Sequence, residues 1–270
     1  MGILEHTGYP DLDIEPGRIV SVLGAPGSGK SRLGLELAFL QRPQAGEVRF
    51  HGVNPLARRG PLGSTQRPHE VTILVQNAED QLFARTVFDD VAFGPRRLRW
   101  SPDLVEERVE DALRAVRLDF EDVRDRSPFA LSGGERRRVA LAGVLAMQAE
   151  VLILDEPTAN LDPRTRHDFA DLLEPLRGKS AVVWMTSSAR EAASAERIYL
   201  LQNGATTAVE SGDNIFHDWR ALEEAGIELP SIYELAGALE RRGMHLPPTE
   251  SPDDVRQAII RELRERRHDR

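Results

Sequence analysis

The sequence contains no cysteine. Disulfide scaffolds, thiolate zinc sites and cysteine nucleophiles are therefore excluded. Lysine is nearly absent too: of 35 basic residues only Lys30 and Lys179 are lysines, so a position that keeps one is a place to look for its chemistry. No run approaches the roughly 20 consecutive apolar residues that a spanning helix needs. The opening MGILEHTGYPDLDIEPG lacks a basic head followed by an apolar stretch, so neither a cleavable signal nor a membrane span is expected. No lysine/arginine block is long enough to read as a polyanion-binding tail, and the formal charge of -9, from 35 basic and 44 acidic side chains, disfavours nucleic acid as a partner. What is present is a chain of 270 residues, enough for one large or two small domains with a well-buried core.

Ile19 to Leu23 is a short β-branched run followed by a glycine-rich stretch and then by Leu33, Leu35, Leu37, Ala38 and Leu40. That order reads strand, loop, helix, the opening of a parallel α/β unit. Gly46 to Gly52 and Val71 to Val75 read as further strands, with loop over Arg58 to His69. From about Ala78 to Gln148 the texture is helical. Ser101-Pro102 supplies a cap and a first-turn proline, and Val105, Val109, Ala112, Leu113 and Val116 mark one buried stripe. Val151 to Leu154 and Ala181 to Met185 are continuous apolar runs, as expected of strands covered on both faces in the sheet of the first strand. Asn203-Gly204 signals a hairpin. Beyond Phe216 two helices are expected, Ser231 to Arg242 and Pro252 to Arg267, as a small appended domain over 216–270.

Gly24 to Ser31 reads GAPGSGKS, a phosphate-loop pattern between a predicted strand and helix. Its glycines let successive backbone N–H groups point at a triphosphate, Lys30 reaches the β and γ oxygens, and Ser31 offers a hydroxyl to Mg²⁺. The bland alternative is a glycine-rich turn. VLILDE, Val151 to Glu156, supplies an acidic strand end: Asp155 for the Mg²⁺ shell, and Glu156 to orient or deprotonate an attacking water. Both lysines being accounted for, none remains for a guanine-reading Asn-Lys-x-Asp motif, and ATP is favoured over GTP. LSGGE, Leu131 to Glu135, places Ser132 and glycine N–H groups at a helix start, a second anion site in a chain that already has one. Alone it is an ordinary Ser-Gly-Gly helix start. Beside the other motifs it suggests a nucleotide held by another copy.

GAPGSGKS, Gln76, LSGGE, VLILDE and Asn160-Leu161-Asp162 together resemble the nucleotide-binding subunits of ABC transporters over nearly the whole chain. Gln76 to Pro95 and Glu228 to Pro247 further resemble the ATPase subunits of energy-coupling factor (ECF) transporters, which import cobalt, nickel or vitamins. The resemblance implies an α/β P-loop fold: a mostly parallel core over 1–215 with a helical subdomain near 78–148, and the C-terminal helical domain. It implies ATP and Mg²⁺ as ligands, held by Gly24, Ala25, Pro26, Gly27, Ser28, Gly29, Lys30, Ser31 and Arg32. Gln76 would sense metal and water, with Ser31 and Asp155 as the other metal-side residues. Glu156, Gln76 and Ser187 would form the catalytic set, Ser132 and Gly134 would contact a partner's γ-phosphate, and Asp162 would couple the two sites. A groove near Gln81-Leu82-Phe83 would receive a coupling helix from a transmembrane subunit that works beside a substrate-binding membrane subunit, the ATPase sitting on the cytoplasmic membrane face. Leu82 and Phe83 read equally as plain core.

One departure stands out. The family normally has Thr-His-Asp after its last core strand, and this chain has Met185-Thr186-Ser187-Ser188. Ser187 is shorter than histidine and has no imidazole, and loss of one positioned transition-state contact costs roughly 10²- to 10³-fold in rate. The expectation is a slow own site, an intact LSGGE that completes a partner's site, and hence a heterodimer rather than a homodimer. Tyr9, fifteen residues before Gly24, is a weak candidate for stacking on adenine. Arg136-Arg137-Arg138 reads as surface and ion-pair material. Two other readings stay open: a soluble ABC ATPase acting on ribosomes, DNA or metalloclusters, and a regulatory ATP-binding subunit with little turnover.

Overall fold

A computed structural model describes residues 2–9, 12–57, 67–159, 161, 163–209, 211–242, 256–257 and 259–261. Its strands are β1 (Leu4–His6), β2 (Asp13–Ile14), β3 (Ile19–Leu23), β4 (Val48–Phe50), β5 (Val71–Leu74), β6 (Val151–Asp155), β7 (Ala181–Thr186), β8 (Arg197–Gln202) and β9 (Ala205–Val209). Six of them form one sheet in the order β5-β6-β7-β3-β8-β9, parallel throughout except for the β8–β9 hairpin. The hairpin turns at Asn203-Gly204, both with positive φ, the geometry that matches strand twist. A second, antiparallel sheet runs β2-β1-β4.

The apolar runs behave as buried parallel strands because successive side chains serve two cores. Val20, Val22, Val151, Ile153, Val183 and Met185 point into the core shared with the antiparallel sheet and the helix Lys30–Leu37. Their neighbours Ile19, Leu23, Leu152, Leu154, Val182 and Trp184 point into the other, where the helical segment packs. One residue of slip would exchange the two sets, so the register is strongly specified. In the helical segment Ser101 caps Pro102–Ala115, accepting from Leu104 N–H, and the predicted stripe from Val105 to Val116 is buried.

The C-terminal part departs in detail. A helix at Trp219–Glu224, unforeseen in the sequence, precedes Ser231–Glu240. Trp219, Leu222, Ile227, Leu229 and Tyr233 join the same buried cluster as the helical segment and the sheet. Phe216 stacks on Tyr233 there and Trp219 meets the Tyr233 ring at a tilt, which anchors this segment on the shared core. Of the helix expected over Pro252 to Arg267 only residues 256–257 and 259–261 are described, and they are helical. The expected loop over Arg58 to His69 lies outside the described residues except for 67–69.

Candidate nucleotide site

Three neighbouring parallel strands, β6, β7 and β3, end at one edge of the sheet, and β5 ends beside them. The carboxyl ends of such strands are where α/β sheets place ligands. β3 delivers the glycine-rich loop, β5 delivers Gln76, β6 delivers Asp155 and Glu156, and β7 delivers Ser187. Gly24 N–H donates to Thr186 O at 3.1 Å, which fastens the start of the loop to the end of β7.

The loop leads directly into the helix Lys30–Leu37. Gly27 and Gly29 have φ of +81° and +101°, and a Cβ at either would meet nothing within 4 Å. Glycine is thus required by backbone conformation, and the space above it is open to a ligand. Lys30 is buried, donating to Gly24 O at 2.6 Å and Ala25 O at 3.1 Å, with Glu156 Oε1 3.1 Å from its ammonium. Ser28 N–H donates to Ala25 O, and its hydroxyl is buried without a partner among the described residues. Pro26, Gly27, Gly29, Lys30, Ser31, Arg32, Gln76, Glu156, Ala159 and Ser187 line a cleft of about 580 Å³.

Asp155 fits a cation. It is 3 % exposed, and its Oδ1 has no hydrogen-bond partner among the described residues. Burial pushes its carboxyl above the ordinary carboxylate range and the charge of Glu156 adds to this, while the Ser31 hydroxyl, Lys30 and the Gln76 N–H pull the other way. A buried, partly satisfied carboxylate oxygen beside a hydroxyl is a donor set that suits an oxygen-ligated divalent cation such as Mg²⁺. Glu156 itself has φ of +47°, an uncommon conformation for a residue with a side chain, and its N–H is pinned to Met185 O at 3.0 Å.

Arg32 is held at the cleft by Glu36, with Nε donating to Oε1 at 2.8 Å. Glu36 is buried, and His6 Nε2 lies 2.9 Å from its other oxygen. Gly8 N–H donates to His6 Nδ1, so Nε2 carries the proton and donates to Glu36. Tyr9 meets the His6 ring edge-on at 4.7 Å and packs against the second core.

Ser132 and Gly134 are not part of this cleft. Ser132 caps the helix Gly133–Leu145 in a closed capping box: its hydroxyl accepts from Glu135 N–H at 3.3 Å, and Glu135 Oε2 accepts from Ser132 N–H at 2.8 Å and from the hydroxyl at 2.7 Å. Asp162 and Asn160 lie outside the described residues. The arginine triplet needs a correction. Arg137 is buried rather than on the surface, because it points inward to donate to Ala159 O and to pair with Glu79 at 3.4 Å. Leu82 and Phe83 divide the two readings given them: Leu82 is buried and Phe83 is 61 % exposed.

The motif reading missed Glu191, whose carboxylate receives the Thr158 and Thr186 hydroxyls, each at 2.6 Å, just behind the cleft. Its only sequence signal is a lone carboxylate in the Ala-rich run Ala189 to Ala195. The buried His6–Glu36 pair, thirty residues apart, gave no local signal at all.

A family model described as ABC transporter matches residues 9–159. An energy-coupling factor transporter ATP-binding protein of Symbiobacterium thermophilum is 39 % identical over 252 residues, covering 93 % of this chain and 86 % of the relative. The chain belongs to the ABC transporter family. Within that family its curated relatives include ATP-binding proteins of energy-coupling factor transporters. The solved structure of cbiO1 from Clostridium perfringens, part of the ABC transporter complex cbiONQ, is similar with a TM-score of 0.68 and 26 % identity, covering 87 % of this chain and 98 % of that one. A dimeric ATP-binding cassette in a post-hydrolysis state, bound to ADP and Pi, is similar with a TM-score of 0.62 and 25 % identity, over 75 % of this chain and 90 % of that one. The P-loop α/β fold expected from the sequence is the fold of these ABC relatives.

Proposed function

We propose that this chain is the ATP-binding and ATP-hydrolysing subunit that powers an ECF-type importer of a vitamin or transition-metal ion. The observation that carries the reading is the convergence of Lys30, Ser31, Gln76, Glu156 and Ser187 on one cleft beside the Asp155 Oδ1 that has no hydrogen-bond partner among the described residues. Lys30 exchanges its carbonyl partners for phosphate oxygens, and the open glycine backbone, with Ala25, Pro26 and Ser28, wraps the phosphates. Arg32, aimed by Glu36, adds a second cation at the rim. Ser31, Asp155 and Gln76 hold Mg²⁺, which when bound supplies charge neutralisation of the phosphates. Glu156 orients the attacking water and accepts its proton.

Ser132 and Gly134 close over the nucleotide of a second ATPase subunit, and Asp162 couples the two sites. A heterodimer is favoured over a homodimer, since Ser187 leaves this chain's own site slow. The transmembrane coupling subunit docks at the exposed ring pair Phe83 and Phe93, 4.9 Å apart edge-to-face, in the manner of a helix in a groove. The chain then sits peripherally on the cytoplasmic membrane face. Residues 216–270 form an appendage to the ATPase core of 1–215. Ser187 favours one second reading, a regulatory ATP-binding subunit with little turnover.

Purification from detergent-solubilised membranes tests both readings. The expected result is co-purification with membrane subunits and Mg²⁺-dependent ATP turnover, raised about a hundredfold by Ser187→His where this chain's own site limits the rate. No gain from Ser187→His removes the slow-site idea. A chain that stays free of membrane subunits removes the transport role.

A further inference from the structure

Glu191 lies on the short helix Ala189–Ala192 and is 7 % exposed, yet it does not line the nucleotide cleft. Burying a carboxylate is costly unless donors cover it. Here the donors come from the loop after β6 and from the end of β7. Thr158 Oγ1, two residues beyond Glu156, donates to Oε1 at 2.6 Å, and Thr186 Oγ1, immediately before Ser187, donates to Oε2 at 2.6 Å. Thr186 Oγ1 in turn accepts from Ser188 N–H at 3.0 Å, so the hydroxyl that reaches Glu191 also shapes the chain just past Ser187.

A third connection leaves the cleft. Arg166 Nε is 3.7 Å from Glu191 Oε1, and its Nη1 donates to Glu228 Oε1 at 3.1 Å. The backbone of Glu228 is stitched to the loop after β7: its N–H donates to Ser187 O and its carbonyl accepts from Ala189 N–H, both at 2.9 Å. One carboxylate thus joins the exit of the Glu156 loop, the Ser187 loop and, through Arg166, the C-terminal segment.

We propose that Glu191 is a positioning residue that fixes the Glu156 loop and the Ser187 loop in a single register and ties that register to the C-terminal segment at Glu228. The inference rests on the reading of Glu156 as the group that orients water. Glu156 is pinned at its N–H and strained at its φ, so the hold on Thr158 fixes how the loop leaves, and with it where the Glu156 carboxylate stands. A displacement of about 1 Å at such a group costs up to roughly a hundredfold in rate. Glu191 touches no substrate atom and acts only through Thr158 and Thr186.

Single-turnover hydrolysis of ATP with Mg²⁺ tests this alongside equilibrium ATP binding, with the full chain assembled beside its cognate ATPase partner, the partner's own phosphate loop disabled, and the assembly in excess over nucleotide. Glu191→Gln is expected to slow the step roughly tenfold to a hundredfold, with ATP affinity within about twofold of the parent, since the Lys30 contacts are untouched. Thr158→Val, near-isosteric and lacking only the hydroxyl, is expected to reproduce the loss, and Thr158→Ser to restore most of the rate. The Thr158 pair decides the matter if Glu191→Gln does not fold. Parent-like rates in Glu191→Gln and Thr158→Val overturn the inference. So does a parallel loss of ATP affinity, which would mark a purely structural role. A parent chain that binds ATP and hydrolyses it while the variants match it defeats this inference alone. An assembly in which the parent's own site binds ATP and never hydrolyses it defeats the ATP-hydrolysing reading and the inference with it, and leaves the regulatory reading.

Discussion

The phosphate-loop region and the start of the helix Gly133–Leu145 are built to opposite plans. At the phosphate loop, Lys30 and Asp155 are buried, Glu156 is strained, and one Asp155 carboxylate oxygen has no hydrogen-bond partner among the described residues. At the helix Gly133–Leu145, Ser132 is exposed but closed on itself by a capping box with Glu135. The first region carries desolvation and strain that a ligand relieves, whereas the second is already satisfied and offers N–H groups at a helix start together with the Ser132 hydroxyl. Preorganisation by burial suits a tight resident contact, and preorganisation by capping suits a surface that must approach and leave.

Three substitutions sharpen that contrast. Glu156→Gln has the largest expected effect: turnover falls about a hundredfold or more, while ATP binding is kept, because Lys30 no longer faces a competing carboxylate at 3.1 Å. Comparing steady-state hydrolysis with equilibrium binding checks it. Asp155→Asn comes next. Burial holds the Asp155 pKa above its ordinary value, so the folded chain binds that proton more tightly than the unfolded chain. Ligand-free stability therefore falls as pH rises from the ordinary carboxylate value through the raised one, and the ionised group remains a cost above both. Asp155→Asn is expected to melt higher than the parent at neutral pH without ligand, and to lose the improvement that Mg²⁺ gives to ATP binding. A melt that falls instead would mean the burial cost is not there. Ser132→Ala is the smallest: loss of the cap costs about 1 kcal/mol, a melting shift of about 2–4 °C for a chain of this size. In the assembled ATPase it also lowers turnover, by about tenfold for one charge-assisted contact.

The same contrast explains how much was legible in the sequence. GAPGSGKS, VLILDE and LSGGE are contiguous, and each motif's geometry is set within one turn or strand end, so spacing alone indicated strand, loop and helix. The runs at 151–154 and 181–185 announced strands buried on both faces because both alternate sets of side chains are apolar. What escaped was long-range. Arg137 looks like one of three equal arginines until helix rotation turns it toward Glu79, and Glu191 acquires meaning only when β6 and β7 bring Thr158 and Thr186 to either side of it. The order β5-β6-β7-β3-β8-β9 and the separate sheet β2-β1-β4 likewise follow from packing that no local pattern encodes. The helix Trp219–Glu224 was missed for a different reason: with only six residues, it is too short for a periodic signal.

The central claim is that Lys30 and its glycine cradle hold ATP with Mg²⁺. Calorimetric titration of ATP in Mg²⁺ into the full chain, with the cognate partner present, tests it most directly. Saturable binding at one nucleotide per phosphate loop is expected, weakened on the order of a hundredfold by Lys30→Ala. Equal affinity in parent and variant, or no binding by either, would contradict it.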